Sequence, residues 1–180
     1  MTTGILRRQL GVFAPIAESA LLSALGIGML ASNTLAQPKT LKEQLLGTWL
    51  MATNVTIQPD GSRTDTYGPN AKGIIAFDHS GRFAFVTTRS DLPKFSSNNR
   101  TTGTDGENKA VVQGSLAYFG IYSVDETDNS YKVQIESSIF PNWVGTSQKR
   151  KIVLSGDEFT LSNPAGSSGG VIESKYVRAK

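Results

Sequence analysis

The chain has 180 residues, no cysteine and one histidine, and its formal net charge at pH 7 is +3. The absence of cysteine excludes disulfides, zinc–thiolate sites, thiol nucleophiles and Cys-linked lipid anchors. The one histidine, His79, lies in a polar turn, which argues against a catalytic base or a transition-metal centre. Basic residues are scattered apart from Lys149, Arg150 and Lys151, so nothing indicates a nucleic-acid-binding surface. We therefore expect no cofactor, no metal, no catalytic residue set and no nucleic-acid partner.

The first 36 residues predict a secretory signal peptide. Arg7 and Arg8 form a positive start, residues 20–31 are apolar and uncharged, and TLA at 34–36, with small residues at its first and third positions, suits a cleavage site. The apolar stretch of about 12 residues is shorter than the roughly 20 that a spanning helix needs. The arginine pair also allows twin-arginine export. An uncleaved amphipathic helix is the alternative.

The remaining residues, 37–180, suit one domain that is long enough to bury a core without disulfides. Export makes the expected location periplasmic or secreted, with no membrane span in the mature chain. We expect a monomer or a weak oligomer.

The first half of this domain predicts a short helix followed by strands. Residues 38–45 form the helix, with Thr40 as its cap and Glu43 completing a capping box. Runs of β-forming residues bounded by turn residues then predict strands at residues 48–57, 63–67, 74–77 and 82–87.

A long polar segment at residues 89–106 separates these strands from the second half. Asp105 is the predicted cap of a short helix over residues 107–113. Further strands are predicted at residues 116–124, 131–139, 148–154, 158–161 and 171–178. About nine short strands with no long helical period between them predict an all-β antiparallel meander, closed into a barrel or folded as a sandwich.

Four stretches resemble a known family. They are LGTW at 46–49, YGPN at 67–70 with KG at 72–73, AYFGIY at 117–122 and FPNWVG at 140–145. In this order they are similar to the bacterial lipocalin-like domain family of the calycin group, across almost all of the mature chain. The resemblance implies an up-and-down antiparallel β-barrel of about 8–10 strands with an internal cavity, and no particular reaction.

The same resemblance assigns a structural role to Trp49. In lipocalin-like barrels such a tryptophan packs across the closed end, often beneath an arginine of the last strand, for which Arg178 is the candidate. With an even number of strands, the first and last are antiparallel, so the start of one meets the end of the other. We therefore expect Trp49 and Arg178 to form a barrel plug through a cation–π contact.

The period of two along a strand predicts the cavity lining. Apolar residues at every second position of the strand at 131–139 should face inward, and the apolar face of the strand at 148–154 also carries Arg150. Alternation does not decide for the strand at 116–124, where the resemblance favours Tyr118 and Tyr122 as inward. Ordinary core packing of these two tyrosines is the alternative to contact with a ligand. Trp143 caps the cavity mouth or, alternatively, anchors its loop in the core. The predicted lining is Tyr118, Tyr122, Tyr131, Val133, Ile135, Trp143, Arg150 and Ile152.

Arg150 raises a separate question, because a buried guanidinium needs a carboxylate, a set of acceptors or an anionic ligand. An internal salt bridge or a rim position is one explanation. Recognition of the acid group of a ligand is the other.

The long segment at residues 89–106 is the candidate lid, because loops of this length are usually functional or disordered. We predict that it and the following helix cover the open end flexibly, with Phe95 as an apolar foot that reaches toward the cavity. A disordered excursion without contact with the mouth is the alternative.

These observations favour an exported lipocalin-like protein that binds a small apolar or amphipathic molecule in its barrel. An isomerase- or cyclase-type enzyme that uses Tyr118, Tyr122 and Arg150 is the first alternative. The second alternative is an envelope structural or interaction protein whose barrel interior is filled.

Overall fold

The computed structural model describes residues 39–180, so the predicted signal peptide lies outside the described residues. Over this part of the chain, none of the helices has the length and apolar character needed to cross a membrane. The helices are α1 (Leu41–Leu45) and α2 (Asp105–Gly114), with a 3-10 turn at Pro141–Trp143. The strands are β1 (Gly47–Ile57), β2 (Arg63–Asp65), β3 (Lys72–Phe77), β4 (Arg82–Thr88), β5 (Ser115–Asp125), β6 (Ser130–Ser138), β7 (Ser147–Ser155), β8 (Glu158–Asn163) and β9 (Val171–Arg178).

Eight of these strands close into an antiparallel barrel, which confirms the fold that the sequence predicts and excludes the sandwich. Neighbouring strands follow chain order from β3 to β9, and β1 pairs with β3 on one edge and with β9 on the other. The short β2 pairs only with the end of β1. It continues the line of β3 along that edge and adds nothing to the circumference.

Capping boxes fix the starts of both helices. Thr40 and Glu43 cap α1 as predicted. The cap of α2 is Thr104, which exchanges hydrogen bonds with Glu107, and not Asp105, which is the first helical residue. The Thr hydroxyl accepts from the N3 amide while the N3 carboxylate accepts from the cap amide, so both orphan amides are satisfied.

Helix α1 and a tryptophan–arginine stack cover one end of the barrel, which we call the closed end. Trp49 is fully buried and its indole N–H donates to the carbonyl of Leu45 at 2.7 Å. The guanidinium of Arg178, opposite Trp49 in the β1–β9 register, lies 4.0 Å from the ring centroid. It also donates to the carbonyls of Gln44 and Leu46 at 2.7 and 2.8 Å. Arg178 thus joins the stack to the last carbonyls of α1, a favourable place for a cation.

Alternation of buried and exposed side chains holds along β4, β5, β6 and β7. The inward direction predicted for the side chains of β5, β6 and β7 is confirmed, including that of Arg150. The core contains many aromatic rings in edge-to-face contact, such as Trp49 with Phe159 at 4.8 Å and Phe77 with Tyr131 at 5.4 Å. Such pairs add to the free energy of burial.

A close approach of two strands occurs at Gly120, where the β5–β6 register shifts by one residue. A Cβ at this position would lie 2.0 Å from the carbonyl oxygen of Gln134. A glycine is therefore required at the point where the paired strands bend.

Substitution of this glycine tests the bend. We expect Gly120→Ala to lower the free energy of unfolding by about 1–3 kcal/mol, because backbone must move to admit the methyl group. The matched control is Gly106→Ala in α2, where a Cβ would meet nothing within 4 Å and stability should be equal or slightly higher. Urea denaturation followed by circular dichroism measures both. Equal stability of the two variants would contradict the steric account.

Candidate functional site

The interior away from the closed end encloses a cavity of about 30 Å³, which we call the inner cavity. This volume suits one or two water-sized groups. Its polar lining, apart from Arg150, is Asn54, Thr66, Asn163, Ser167, Ser168 and Ser174. Its aromatic lining is Tyr67, Phe85, Tyr118, Trp143 and Tyr176. Leu116, Leu161, Gly166 and Ile172 complete the wall.

A larger pocket of about 550 Å³, the vestibule, lies outside the inner cavity at the open end. The two share five wall residues, namely Thr66, Tyr67, Leu116, Ser167 and Ser168. Val111, Val112 and Gln113 of α2 form one side of the vestibule, and Ile139 and Phe140 form another. The vestibule thus adjoins the inner cavity on its outer side and has largely apolar walls.

Arg150 is the one charged residue on the wall of the inner cavity, and it is only 1% exposed. Its two terminal nitrogens donate to the Tyr118 hydroxyl at 2.6 Å and to the Gln148 side-chain oxygen at 2.7 Å. Both acceptors are neutral. Arg150 takes part in none of the ion pairs formed within residues 39–180. A buried charge without a counter-charge costs several kcal/mol.

Unsatisfied polar atoms concentrate at this cavity. Within the described residues, four buried side-chain atoms have no hydrogen-bond partner, and three of them are on residues that line the cavity: Asn54 Oδ1, Arg150 Nε and the Tyr176 hydroxyl. The fourth, the Tyr131 hydroxyl, is on the residue paired with Arg150 across β6 and β7. Since buried polar atoms are nearly always paired, this clustering marks the cavity as a place for polar contact.

The phenols of Tyr67, Tyr131 and Tyr176 supply no negative charge at neutral pH. Burial raises the pKa of Tyr67 and of Tyr131 to about 12 and that of Tyr176 well above its ordinary value. Burial disfavours the charge on Arg150, but Tyr118 and Tyr131 outweigh it, so the pKa of Arg150 lies above its ordinary value. The site therefore presents a permanent cation among neutral hydroxyl groups.

The structure places three of the predicted lining residues on the wall of the inner cavity: Tyr118, Trp143 and Arg150. Tyr118 is in edge-to-face contact with Trp143, with ring centroids 5.3 Å apart. Trp143, from the 3-10 turn, thus packs at the cavity.

The other five predicted residues face inward but do not line the inner cavity, and the prediction is corrected in this respect. They are Tyr122, Tyr131, Val133, Ile135 and Ile152. For Tyr122 and Tyr131 the physical reason is aromatic packing near the closed end. Phe77 contacts both Tyr122 and Tyr131, and the Tyr122 hydroxyl donates to the carbonyl of Asp78 in a closed-end turn.

Several wall residues were not predicted from the sequence. Ser174 and Tyr176 occupy buried alternate positions of β9, so the period of two was a usable signal for them. Asn54 gave no such signal, because the β1–β9 register shifts between Met51 and Thr53 and the buried side of β1 changes there. Its amide donates to Ser174 Oγ at 2.7 Å.

Phe95 does not line the inner cavity or the vestibule, so the prediction that its side chain reaches toward the cavity is corrected. The loop folds back on α2, because the Ser96 amide donates to Glu107 at 2.8 Å. Phe95 consequently packs against Gly103, where a Cβ would lie 2.3 Å from its ring. The element that covers the open end is the last part of α2.

Within residues 39–180, no group of three or more His, Asp or Glu side chains is arranged to hold a metal ion. The wall of the inner cavity carries no Asp or Glu. A carboxylate converging with Tyr118 and Arg150, which would favour the enzyme hypothesis, is not found on this wall.

Comparison with known families adds to this geometry. The model of a family described as "Lipocalin-like domain" matches residues 46–176. The chain belongs to this family.

Individual relatives of this lipocalin-like chain are more distant. Over 80 residues, 41% of this chain and 72% of the relative, it is 34% identical to the 4'-hydroxy-3'-methoxypropiophenone carrier protein ppsC of Aspergillus oryzae. Among solved structures it is similar to a protein titled REP1-NXSQ fatty acid transporter, with 11% identity, a TM-score of 0.36 and coverage of 76% of this chain and 96% of the other. A mutant of the fluorescent protein UnaG gives 10% identity, a TM-score of 0.37 and coverage of 77% and 98%.

The buried phenols of this lipocalin-like barrel predict a loss of stability at alkaline pH. A folded state that holds the pKa of Tyr131 at about 12 keeps its proton while the unfolded chain loses it near pH 10. Stability is therefore complete below pH 10 and falls as the pH rises to 12, by about 2–3 kcal/mol for one such group. Urea denaturation at several pH values between 9 and 12 measures this decline. Tyr131→Phe should make it shallower, and an unchanged pH dependence would contradict the assignment.

Proposed function

We propose that this lipocalin-like protein binds a small amphipathic molecule, with a polar group in the inner cavity and an apolar body in the vestibule. The observation that carries the proposal is the adjacency of the two spaces, which share five wall residues. The wall of one includes residues with unpartnered polar atoms, and the wall of the other is largely apolar. Small-molecule sites commonly combine apolar walls with a few convergent polar groups.

The sizes of the two spaces support this orientation of the ligand. The inner cavity, at about 30 Å³, admits a small polar group and not a whole ligand. The vestibule, at about 550 Å³, lies within the range of about 300–1,000 Å³ that is usual for small-molecule pockets. Apolar side chains such as Val112, which is 76% exposed, and Ile139 are available there to cover the body of a ligand.

The relative from Aspergillus oryzae supports a carrier role. Its name describes it as the carrier of an aromatic ketone that bears a hydroxyl and a methoxy group. Such a molecule is amphipathic, with an apolar ring and a few polar atoms. A ligand of this general kind, small and partly aromatic, suits the aromatic wall around Tyr118 and Trp143.

We also propose that the protein acts outside the cytoplasm, in the periplasm or after secretion. The support is the charge and hydropathy pattern of the first 36 residues. Expression of the full chain in a host with a secretory pathway, followed by mass determination of the exported product, should give a protein that begins at Gln37. A product that stays in the cytoplasm with an intact N-terminus would refute this part of the proposal.

A charge placed in the vestibule tests the binding site. The neutral fluorophore N-phenyl-1-naphthylamine should bind with increased emission. Val112→Glu should weaken that binding about three- to tenfold, because an apolar contact is replaced by a hydrated carboxylate. Fluorescence titration measures the dissociation constants.

The matched control is Val153→Glu on β7. Val153 is 71% exposed, close to the value for Val112, and belongs to neither space. This variant should bind the fluorophore like the unmodified protein. Equal effects of the two substitutions, or no binding to the unmodified protein, would overturn the proposed site.

A further inference from the structure

The guanidinium of Arg150 is held in place but not neutralised. It is almost completely buried, it donates to two neutral acceptors, and its Nε has no partner. The inner-cavity wall carries no carboxylate, and Arg150 takes part in none of the ion pairs within residues 39–180. The positive charge inside the barrel therefore lacks a counter-charge from the described part of the chain.

The hydrogen-bond inventory around Arg150 adds donors of the same kind. A guanidinium only donates, so Tyr118 must act as the acceptor in their 2.6 Å contact, which leaves its own O–H available as a donor. The Tyr176 hydroxyl is buried, lines the same cavity and has no partner. Arg150 and two phenolic O–H groups, all on the wall of the inner cavity, thus offer donors to one small space. Asn54 Oδ1, the remaining unpartnered atom, is an acceptor and takes no part in this set.

We propose that the molecule bound in this barrel is an organic acid, whose carboxylate occupies the inner cavity and accepts from Arg150, Tyr118 and Tyr176. This inference rests on the proposed function and adds the chemical class of the ligand. A carboxylate is acceptor-only when ionised, and its charge-assisted hydrogen bonds with a guanidinium are among the strong ones. It also fits the small volume of about 30 Å³ better than a larger polar group does.

Two ligands that differ only at the polar end provide the test. 3-Phenylpropanoate and 3-phenyl-1-propanol share a skeleton and carry a carboxylate and a hydroxyl. Each is titrated at pH 8 against the protein loaded with N-phenyl-1-naphthylamine, and displacement is followed by fluorescence. The acid should displace the fluorophore at a concentration at least about tenfold lower than the alcohol, because a bond to a charged group is stronger than its neutral counterpart.

Variants assign the preference to one side chain. Arg150→Met should bind the fluorophore but lose the preference for the acid. Lys151→Met removes the same charge from the adjacent outward-facing position and should retain the preference. Arg150→Lys, which keeps the charge without the fork of donors, should retain part of it. Thermal unfolding checks that each variant is folded.

The outcomes separate the two proposals. Fluorophore binding with equal displacement by acid and alcohol overturns the acid inference and leaves the binding site standing. Preference that persists in Arg150→Met also overturns it. If Arg150→Met does not fold, the acid inference is still tested by comparing displacement by the acid and the alcohol on the unmodified protein and on Arg150→Lys. No binding of the fluorophore or either ligand removes the proposed function and the inference together.

Discussion

Closure of the barrel through the β1–β9 pairing is the constraint on which the rest of the structure depends. It places Trp49 opposite Arg178 at the closed end and leaves a fixed interior between the strands. The register shift between Met51 and Thr53 then reverses the buried side of β1. Trp49 consequently faces the packed half, while Asn54 reaches the inner cavity. A bulge in a barrel strand redirects side chains in this way. One irregularity in β1 therefore allows the same strand to close the barrel with Trp49 and to place Asn54 at the inner cavity.

The interior has two halves with different physical character. Toward the closed end, buried aromatic rings pack in edge-to-face contacts such as Phe77–Tyr122. Toward the open end, Arg150 and several hydroxyl and amide groups share a small space that they do not fill. Replacement of a buried charged group by apolar residues of similar volume is often neutral or stabilising. Folding alone therefore gives no reason for a guanidinium in this position, whereas contact with a ligand does.

The fold was largely predictable from sequence, because short strands, turn residues and the period of two act locally and agree with one another. The inward direction of Arg150 followed from that period. Two features were not predictable for physical reasons. The register shift in β1 depends on long-range pairing with β9, so the position of Asn54 at the inner cavity was not predictable. The contact of Phe95 with Gly103 depends on the way the loop folds back onto Glu107, and polar composition alone does not contain that geometry.

The two interior-facing arginines of this barrel differ in how their charge and hydrogen-bond donors are satisfied. Arg178, whose side chain is 30% exposed, stacks on Trp49, donates to two helix carbonyls and pairs with Asp157 at 3.1 Å. Its donors are used and its charge is balanced. Arg150 is more deeply buried, yet it meets only neutral acceptors and keeps an unpartnered Nε. The desolvation cost of a charge grows with burial, so it is greater for Arg150 than for Arg178. Within the described chain, however, Arg150 has fewer favourable interactions to offset that cost. A more deeply buried arginine with weaker pairing is expected where the missing partner is a bound anion.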